Sequence, residues 1–262
     1  MSPMTARLAH PLLAALALAA VAQGKEPVVI IDPGHGGTLE GASSASGFRE
    51  KTLSLQLAQK LRAVLQKSGA TVLLTREQDS RLQLSDRVAY AKAHPADLFI
   101  SVHANSMPTQ KLRDQTSGIE TFFLSANASG EEARKTAARE NAEAPAVQKG
   151  SGDDTLAFIL ADLQRTEAHV DSSRLAYSVH QKLVAATGAT DRGVQQAPFY
   201  VLMGVESPAI LVEVGFISHP AEGKRLQDPK YQDLVVQALA SGVMSFLTQV
   251  GARDGKAQAA PP

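Results

Sequence analysis

Two histidines stand where one metal ion could be held. His35 follows a β-branched run in Asp32-Pro33-Gly34-His35-Gly36-Gly37, and His103 closes another apolar run in Ser101-Val102-His103-Ala104-Asn105. In open α/β sheets, ligands gather beyond the carboxyl ends of the strands, so two imidazoles leaving the sheet at that edge can converge on one ion. The glycines around His35 carry no side chains and permit a tight turn beside a ligand. The chain has no cysteine. Thiol nucleophiles, disulfides and thiolate zinc sites are therefore excluded, and His, Asp and Glu are the strong ligands that remain.

Two carboxylates extend the pattern. Glu50 opens a helical stretch, where the helix dipole alone accounts for an acidic residue. Glu213 interrupts the apolar run Ile210-Leu211-Val212-Glu213-Val214-Gly215-Phe216-Ile217. A carboxylate buried in such a run is protonated or matched with a cation, so Glu213 marks either a functional group or a structural ion pair. Two histidines and one carboxylate hold zinc with a position left for water, as catalytic sites do. A further carboxylate then serves as general base, and the set suits hydrolysis of an amide. Residue types alone leave open which glutamate holds the ion.

The elements that must position these residues alternate in type. Strands are predicted over 28–31, 71–75, 98–102, 119–124 and 209–212. Helices are predicted over 50–67, where Leu53, Leu57, Leu61, Val64 and Leu65 recur at helical spacing, over 82–93, and over 231–247. This alternation predicts an α/β fold: a single three-layer domain with a mostly parallel or mixed central sheet and helices on both faces. Residues 125–170 break the rhythm. The segment 131–143 is charged and Ala-rich, with Glu131–Lys135 and Arg139–Glu143 at i,i+4, which reads as a solvated helix. Residues 156–163 read as a short apolar helix. A connection this long inside a compact domain is functional or disordered.

The start of the chain reads as an export signal. Arg7 precedes an apolar run over 11–22 that ends in Ala20-Val21-Ala22, a small-x-small cleavage pattern. At about 12 residues the run is too short to span a bilayer core of about 30 Å. No other stretch reads as a membrane span. The tail over 251–262 reads as disordered. Lys plus Arg number 26 and Asp plus Glu 26, a balance that argues against nucleic acid as the partner. The strand-exit turn contains no G-x-G-x-x-G and no Gly-Lys-Ser/Thr element, and no G-x-S-x-G is present, so nucleotide binding and serine hydrolysis are not indicated.

DPGHGG at 32–37, FREK at 48–51, SVHAN at 101–105 and SPAILVEVGFIS at 207–218 together resemble the zinc-dependent N-acetylmuramoyl-L-alanine amidases of the cell wall, over residues 27–248. The resemblance implies one zinc ion held by His35, Glu50 and His103, with Glu213 as the catalytic carboxylate. It implies peptidoglycan as substrate, cut at the amide between the lactyl group of N-acetylmuramic acid and L-alanine, and action in the periplasm after export. With the export signal read over 1–22, the domain plan is a signal peptide over 1–22, a catalytic domain over 23–250 and a tail over 251–262. Members that act in daughter-cell separation carry an insert that resembles 125–170. In those members a helix occludes the cleft, a glutamate takes the open zinc position, and an activator protein displaces it. Glu140 is the expected plug, with Glu131, Glu132 and Glu143 as rivals. The pattern departs at His219, where Asn is expected, and His219 reads as a hydrogen-bonding residue near the site. Ser101 and Asn105 read as groups that orient a ligand, His94 as a helix-end residue, and His169 and His180 as surface positions. Two other readings fit the same residues: a zinc exopeptidase trimming wall peptides, and an inactive wall-binding module.

Overall fold

Side-chain alternation along the strands decides which helices cover which face. In strand β3 (Leu98–Asn105), Leu98, Ile100, Val102 and Ala104 enter one core cluster, while Phe99 enters a second one across the sheet. By the same two-residue period, Ser101 and His103 fall on the face of Phe99. The computed structural model of the chain describes residues 26–144 and 167–258. The other strands are β1 (Val28–Pro33), β2 (Thr71–Leu74), β4 (Ile119–Leu124), β5 (Asp191–Ala197) and β6 (Ala209–Phe216).

They form one sheet in the order β2-β1-β3-β6-β4-β5. Strands β2, β1, β3 and β6 run parallel, β4 meets β6 antiparallel, and β5 follows β4 in parallel. The helices are α1 (Glu50–Lys67), α2 (Leu84–Ala93), α3 (Gln110–Gln115), α4 (Glu131–Glu140), α5 (Glu167–Thr187), α6 (Pro220–Gln227) and α7 (Pro229–Gln258). Leu53, Leu57, Leu61 and Leu65 of α1 pack on one sheet face with Leu175, Val179 and Leu183 of α5 and Val235, Leu239 and Val243 of α7. Ala133 and Ala137 of α4 cover the other face with Phe122, Phe199 and Leu211, and Leu84 and Tyr90 of α2 pack beside them. The expected three-layer α/β domain with a mixed sheet is borne out.

Four local expectations change. Strand β5 carries little apolar signal because it is the sheet edge and most of it is only half-buried. Strand β3 runs to Asn105, so His103 lies inside the strand and not at its end. Helix α7 continues to Gln258, through part of the expected tail. Its portion Pro229–Arg253 is also long and apolar enough by composition to cross a membrane, contrary to the sequence reading. Val235, Val236, Leu239, Val243 and Phe246 are instead buried in the core, as in the central helix of a globular domain. The signal-peptide segment 1–22 and the helix expected over 156–163 lie outside the described residues.

Candidate metal centre

His35 lies two residues beyond the end of β1 with φ 60°, the left-handed region, and among the described residues it is the one non-glycine with a positive φ. Two glycines make room for what surrounds it. A Cβ on Gly34 would lie 2.3 Å from His103 Cε1. Gly41, at φ 66°, faces Glu50 and His35 so closely that a Cβ there would lie 2.6 Å from Glu50 Oε2 and from His35 Cδ2. Helix α1 begins at Glu50 itself, which turns this side chain inward. Its Oε1 accepts a hydrogen bond from Ala104 N at 3.0 Å and its Oε2 one from Ala42 N at 2.8 Å, which fixes the carboxylate plane.

Four side chains meet at this point. Glu50 Oε1 lies 3.1 Å from His35 Nε2 and 3.0 Å from His103 Nδ1. Glu140 Oε2 lies 3.3 Å from His35 Nε2 and 3.1 Å from His103 Nδ1. One ligand atom from each of the four lies within 4.8 Å of every other. The helical period explains Glu140. Ala133, Thr136 and Ala137 are the buried face of α4, and Glu140 stands one turn further along that face. Glu131, Glu132 and Glu143 are 56%, 65% and 44% exposed, against 7% for Glu140.

These residues fit a divalent ion. His35 Nε2 and Glu140 Oε2 are buried and make no well-formed hydrogen bond, an arrangement that costs free energy unless something else engages both atoms. A tetrahedral zinc with bonds of about 2.0 Å spaces its ligand atoms at about 3.3 Å, close to the separations here. The four side chains also bear on one another's protonation. Burial draws the His35 imidazole down, but the Glu50 charge and the contacts with Glu140 and Glu50 push it up to about 9. His103 is raised well above its ordinary value, against its burial, by Glu140 and Glu50. Glu140 is held well below the carboxylate range, also against burial, by the two imidazoles.

Glu213 stands beside the cluster. It is the register partner of His103 on β6, with Glu120 of β4 its partner on the other side. Both its carboxylate oxygens are buried and unbonded, and Arg139 Nη2 lies 3.9 Å away. Burial first, then the charges of Glu140 and Glu50, raise its carboxyl well above the usual range. Arg139 also donates to Asn105 Oδ1 at 2.7 Å and Ser106 O at 3.0 Å. Asn105 Nδ2 donates to Glu120 Oε2 at 2.6 Å, and Glu120 Oε1 accepts from Arg192 Nε at 2.7 Å. Arg192 reaches back to Glu132, so helix α4 is tied to the sheet near both its ends. A cavity of about 430 Å³ opens beside the cluster, lined by Leu39, Leu82, Leu84 and Ser106 as well as His35 and Glu140.

The structure thus brings His35, Glu50, His103 and Glu140 together with Glu213 adjacent, and leaves Glu131, Glu132 and Glu143 outside. Several lesser expectations are corrected. Ser101 hydrogen-bonds Asp32 and not a ligand. Arg139 does not pair with Glu143, which faces Arg81 instead. His219 does serve as a hydrogen-bonding residue: it caps α6, accepting from Glu222 N. His180 is buried between Thr121 and Asp191, and His169 hydrogen-bonds Leu124 O. His94 does end a helix, capping α2. The sequence signals left out Arg76, Arg87 and Glu120. A signal for Arg87 existed: Asp32 sits at the end of an apolar strand and needs a cation.

The comparisons with known proteins agree in direction. A family model described as N-acetylmuramoyl-L-alanine amidase matches residues 29–245. N-acetylmuramoyl-L-alanine amidase AmiA of Escherichia coli (strain K12) is 35% identical over 226 residues, 85% of this chain and 77% of that protein. AmiC of Neisseria meningitidis serogroup B is 33% identical over 226 residues, and the match spans 86% of this chain but only 53% of that protein. Among solved structures, an N-acetylmuramoyl-L-alanine amidase from Clostridium difficile 630 superposes with a TM-score of 0.65 at 29% identity, covering 86% of this chain and 98% of that one. The catalytic domain of CwlV, an amidase from Bacillus (Paenibacillus) polymyxa var. colistinus, gives 0.64 at 29% identity, covering 85% and 98%.

Proposed function

Since the chain belongs to the N-acetylmuramoyl-L-alanine amidase family, we propose that it cuts the lactyl–L-alanine amide of peptidoglycan with one zinc ion held by His35, Glu50 and His103. The observation that carries this reading is the convergence of two imidazole nitrogens, 3.1 and 3.0 Å away, on one fixed carboxylate oxygen. A zinc ion bound there supplies an activated water and polarises the scissile carbonyl. The chain's own residues do the rest. Ala42 N and Ala104 N hold Glu50 in one orientation, and the left-handed turn aims His35 at it. Glu213, with two free oxygens next to His103, takes the water proton at a carboxylate oxygen and delivers it to the departing L-alanine nitrogen.

Glu140 completes a four-ligand set, and a closed set leaves no place for water. In this proposal residues 125–170 are a regulatory insert within a catalytic domain spanning 23–250. Helix α4 blocks the site, and an activator protein displaces it. In the same proposal the chain acts in daughter-cell separation, as members with such an insert do, and residues 1–22 direct it to the periplasm. The test is digestion of purified sacculi with mass spectrometry of the products. Release of stem peptides beginning at a free L-alanine amine, lost in Glu213→Gln, supports the proposal. Cleavage confined to bonds within the peptide favours an exopeptidase and contradicts it.

A further inference from the structure

The turn that carries His35 is gripped from behind by two buried guanidinium groups that the chemistry above does not use. Arg87 Nη1 donates to Asp32 Oδ1 at 2.6 Å and to Pro33 O at 2.8 Å, and its Nη2 donates to His35 O at 2.7 Å. Arg76 Nε donates to Pro33 O at 3.0 Å, and its Nη2 donates to Gly34 O at 2.8 Å and to Lys51 O at 2.9 Å. Ser54 Oγ, from α1, adds a bond to Gly34 O at 2.7 Å. Three consecutive carbonyls, those of Pro33, Gly34 and His35, are therefore all held by arginine. Arg76 also reaches the first turn of α1, one residue beyond Glu50.

This arrangement is costly in isolation. Arg76 and Arg87 are only 3% and 2% exposed. Arg87 has Asp32 as counter-charge, and Asp32 is itself fixed by Thr75 and Ser101. Arg76 is bound by carbonyl oxygens and the Ser54 hydroxyl, and Asp32 and Asp79 act on it only through space. Taking a charge out of water without a contacting counter-charge is unfavourable. The left-handed backbone of His35 adds strain, which persists only where the surroundings over-determine it. Both costs fall on one turn, and what that turn delivers to the pocket is the His35 imidazole.

We propose that Arg76 and Arg87 are positioning residues that lock the Pro33–His35 turn, and with it the His35 imidazole and the Glu50 end of α1, in metal-binding geometry before the metal arrives. The proposal rests on reading His35 and Glu50 as ligands. A planar guanidinium satisfies several carbonyls in a fixed fork, which the single ammonium of lysine does not reproduce.

The test uses the full chain and three variants: Arg87→Lys, Arg76→Lys and His35→Ala. Zinc dissociation constants are measured by chelator competition, and melting temperatures on the metal-free proteins. Loss of groups that orient a ligand weakens metal binding by about 10–100-fold, and that is the result expected for each lysine variant while it still unfolds cooperatively. Unchanged zinc affinity with only a lower melting temperature would show a structural role and overturn the proposal. His35→Ala separates the two readings: if it leaves zinc affinity unchanged, the ligand assignment itself is wrong. Should Arg87→Lys not fold, Arg76→Lys and Ser54→Ala decide by the same criterion.

Discussion

His103 and Glu213 are register partners on the adjacent strands β3 and β6, and both stand on the sheet face that α4 covers. A backbone ladder thus sets the spacing between a proposed metal ligand and the proposed base, with no loop between them. The ladder shifts register immediately beyond this pair, between His103 and Asn105, where Gly215 takes φ 150°. Such a bulge re-aims the strand end.

If Glu213 moves the proton, Glu213→Gln keeps the shape and removes the function. Sacculus hydrolysis is expected to fall by about 10²–10⁴-fold, the usual contribution of a positioned base. Zinc content, measured by atomic emission, is expected to stay at the wild-type value because Glu213 is proposed as base and not as ligand.

Glu140→Ala opens the fourth position. Basal hydrolysis is expected to rise at least about tenfold, which corresponds to relieving about 1.4 kcal/mol of blocked population. Glu143→Ala, on an exposed residue of the same segment, is expected to leave the rate unchanged. Dye release from labelled sacculi measures both, and equal rates for the two variants would contradict the plug.

The Glu132–Arg192 contact ties the other end of α4, but Glu132 is 65% exposed. Exposed pairs contribute about 0.2–1 kcal/mol, so Glu132→Ala is expected to raise basal hydrolysis by less than about fivefold. An increase matching that of Glu140→Ala would shift the weight of the latch from the metal site to this pair.

Gly34→Ala tests the packing of the His103 ring without imposing a positive φ. The new methyl would meet His103 Cε1 at 2.3 Å. Overpacking of this kind costs about 1–3 kcal/mol, and here it displaces a proposed ligand. The variant is expected to melt at a lower temperature and to bind zinc more weakly, read by denaturation and chelator competition.

Asp32 supplies a pH dependence. Burial raises its carboxyl, but Arg87 and the bonds from Thr75 and Ser101 outweigh this and hold it below the ordinary 3.8. A depressed folded-state value gives stability that is present above about pH 3.8 and lost as the pH falls through the folded value. Asp32→Asn is expected to cost about 3–5 kcal/mol at pH 7, as for a broken buried pair. Denaturant titrations at pH 7 and pH 3 are expected to show the gap between variant and wild type narrowing at the lower pH.

Much of this was legible in the residues. The β-branched run of β1, the leucine stripe of α1 and the apolar runs of β3 and β6 have strong signals; His35 and Glu50 sit at or just beyond element ends, and His103 and Glu213 are polar residues within their strands. The resemblance drawn from four motifs agrees with the family match over 29–245. Other features had no such signal. The inward face of α4 is made of Ala133, Thr136 and Ala137, too weakly apolar to stand out among charges, so the helix read as solvated. Arg76 and Arg87 are of a type that is nearly always exposed, and only the fold shows the carbonyls that bury them. His180 read as a surface residue because the partners that bury it, Thr121 and Asp191, lie 59 and 11 positions away.

The central claim is that His35, Glu50 and His103 surround one zinc ion. Anomalous diffraction at the zinc edge from crystals of the full chain tests it directly. One strong peak is expected, bounded by His35 Nε2, His103 Nδ1 and a Glu50 carboxylate oxygen, and it is expected to be lost in crystals of His103→Ala. No peak in zinc-replete crystals, or one away from these atoms, would contradict it.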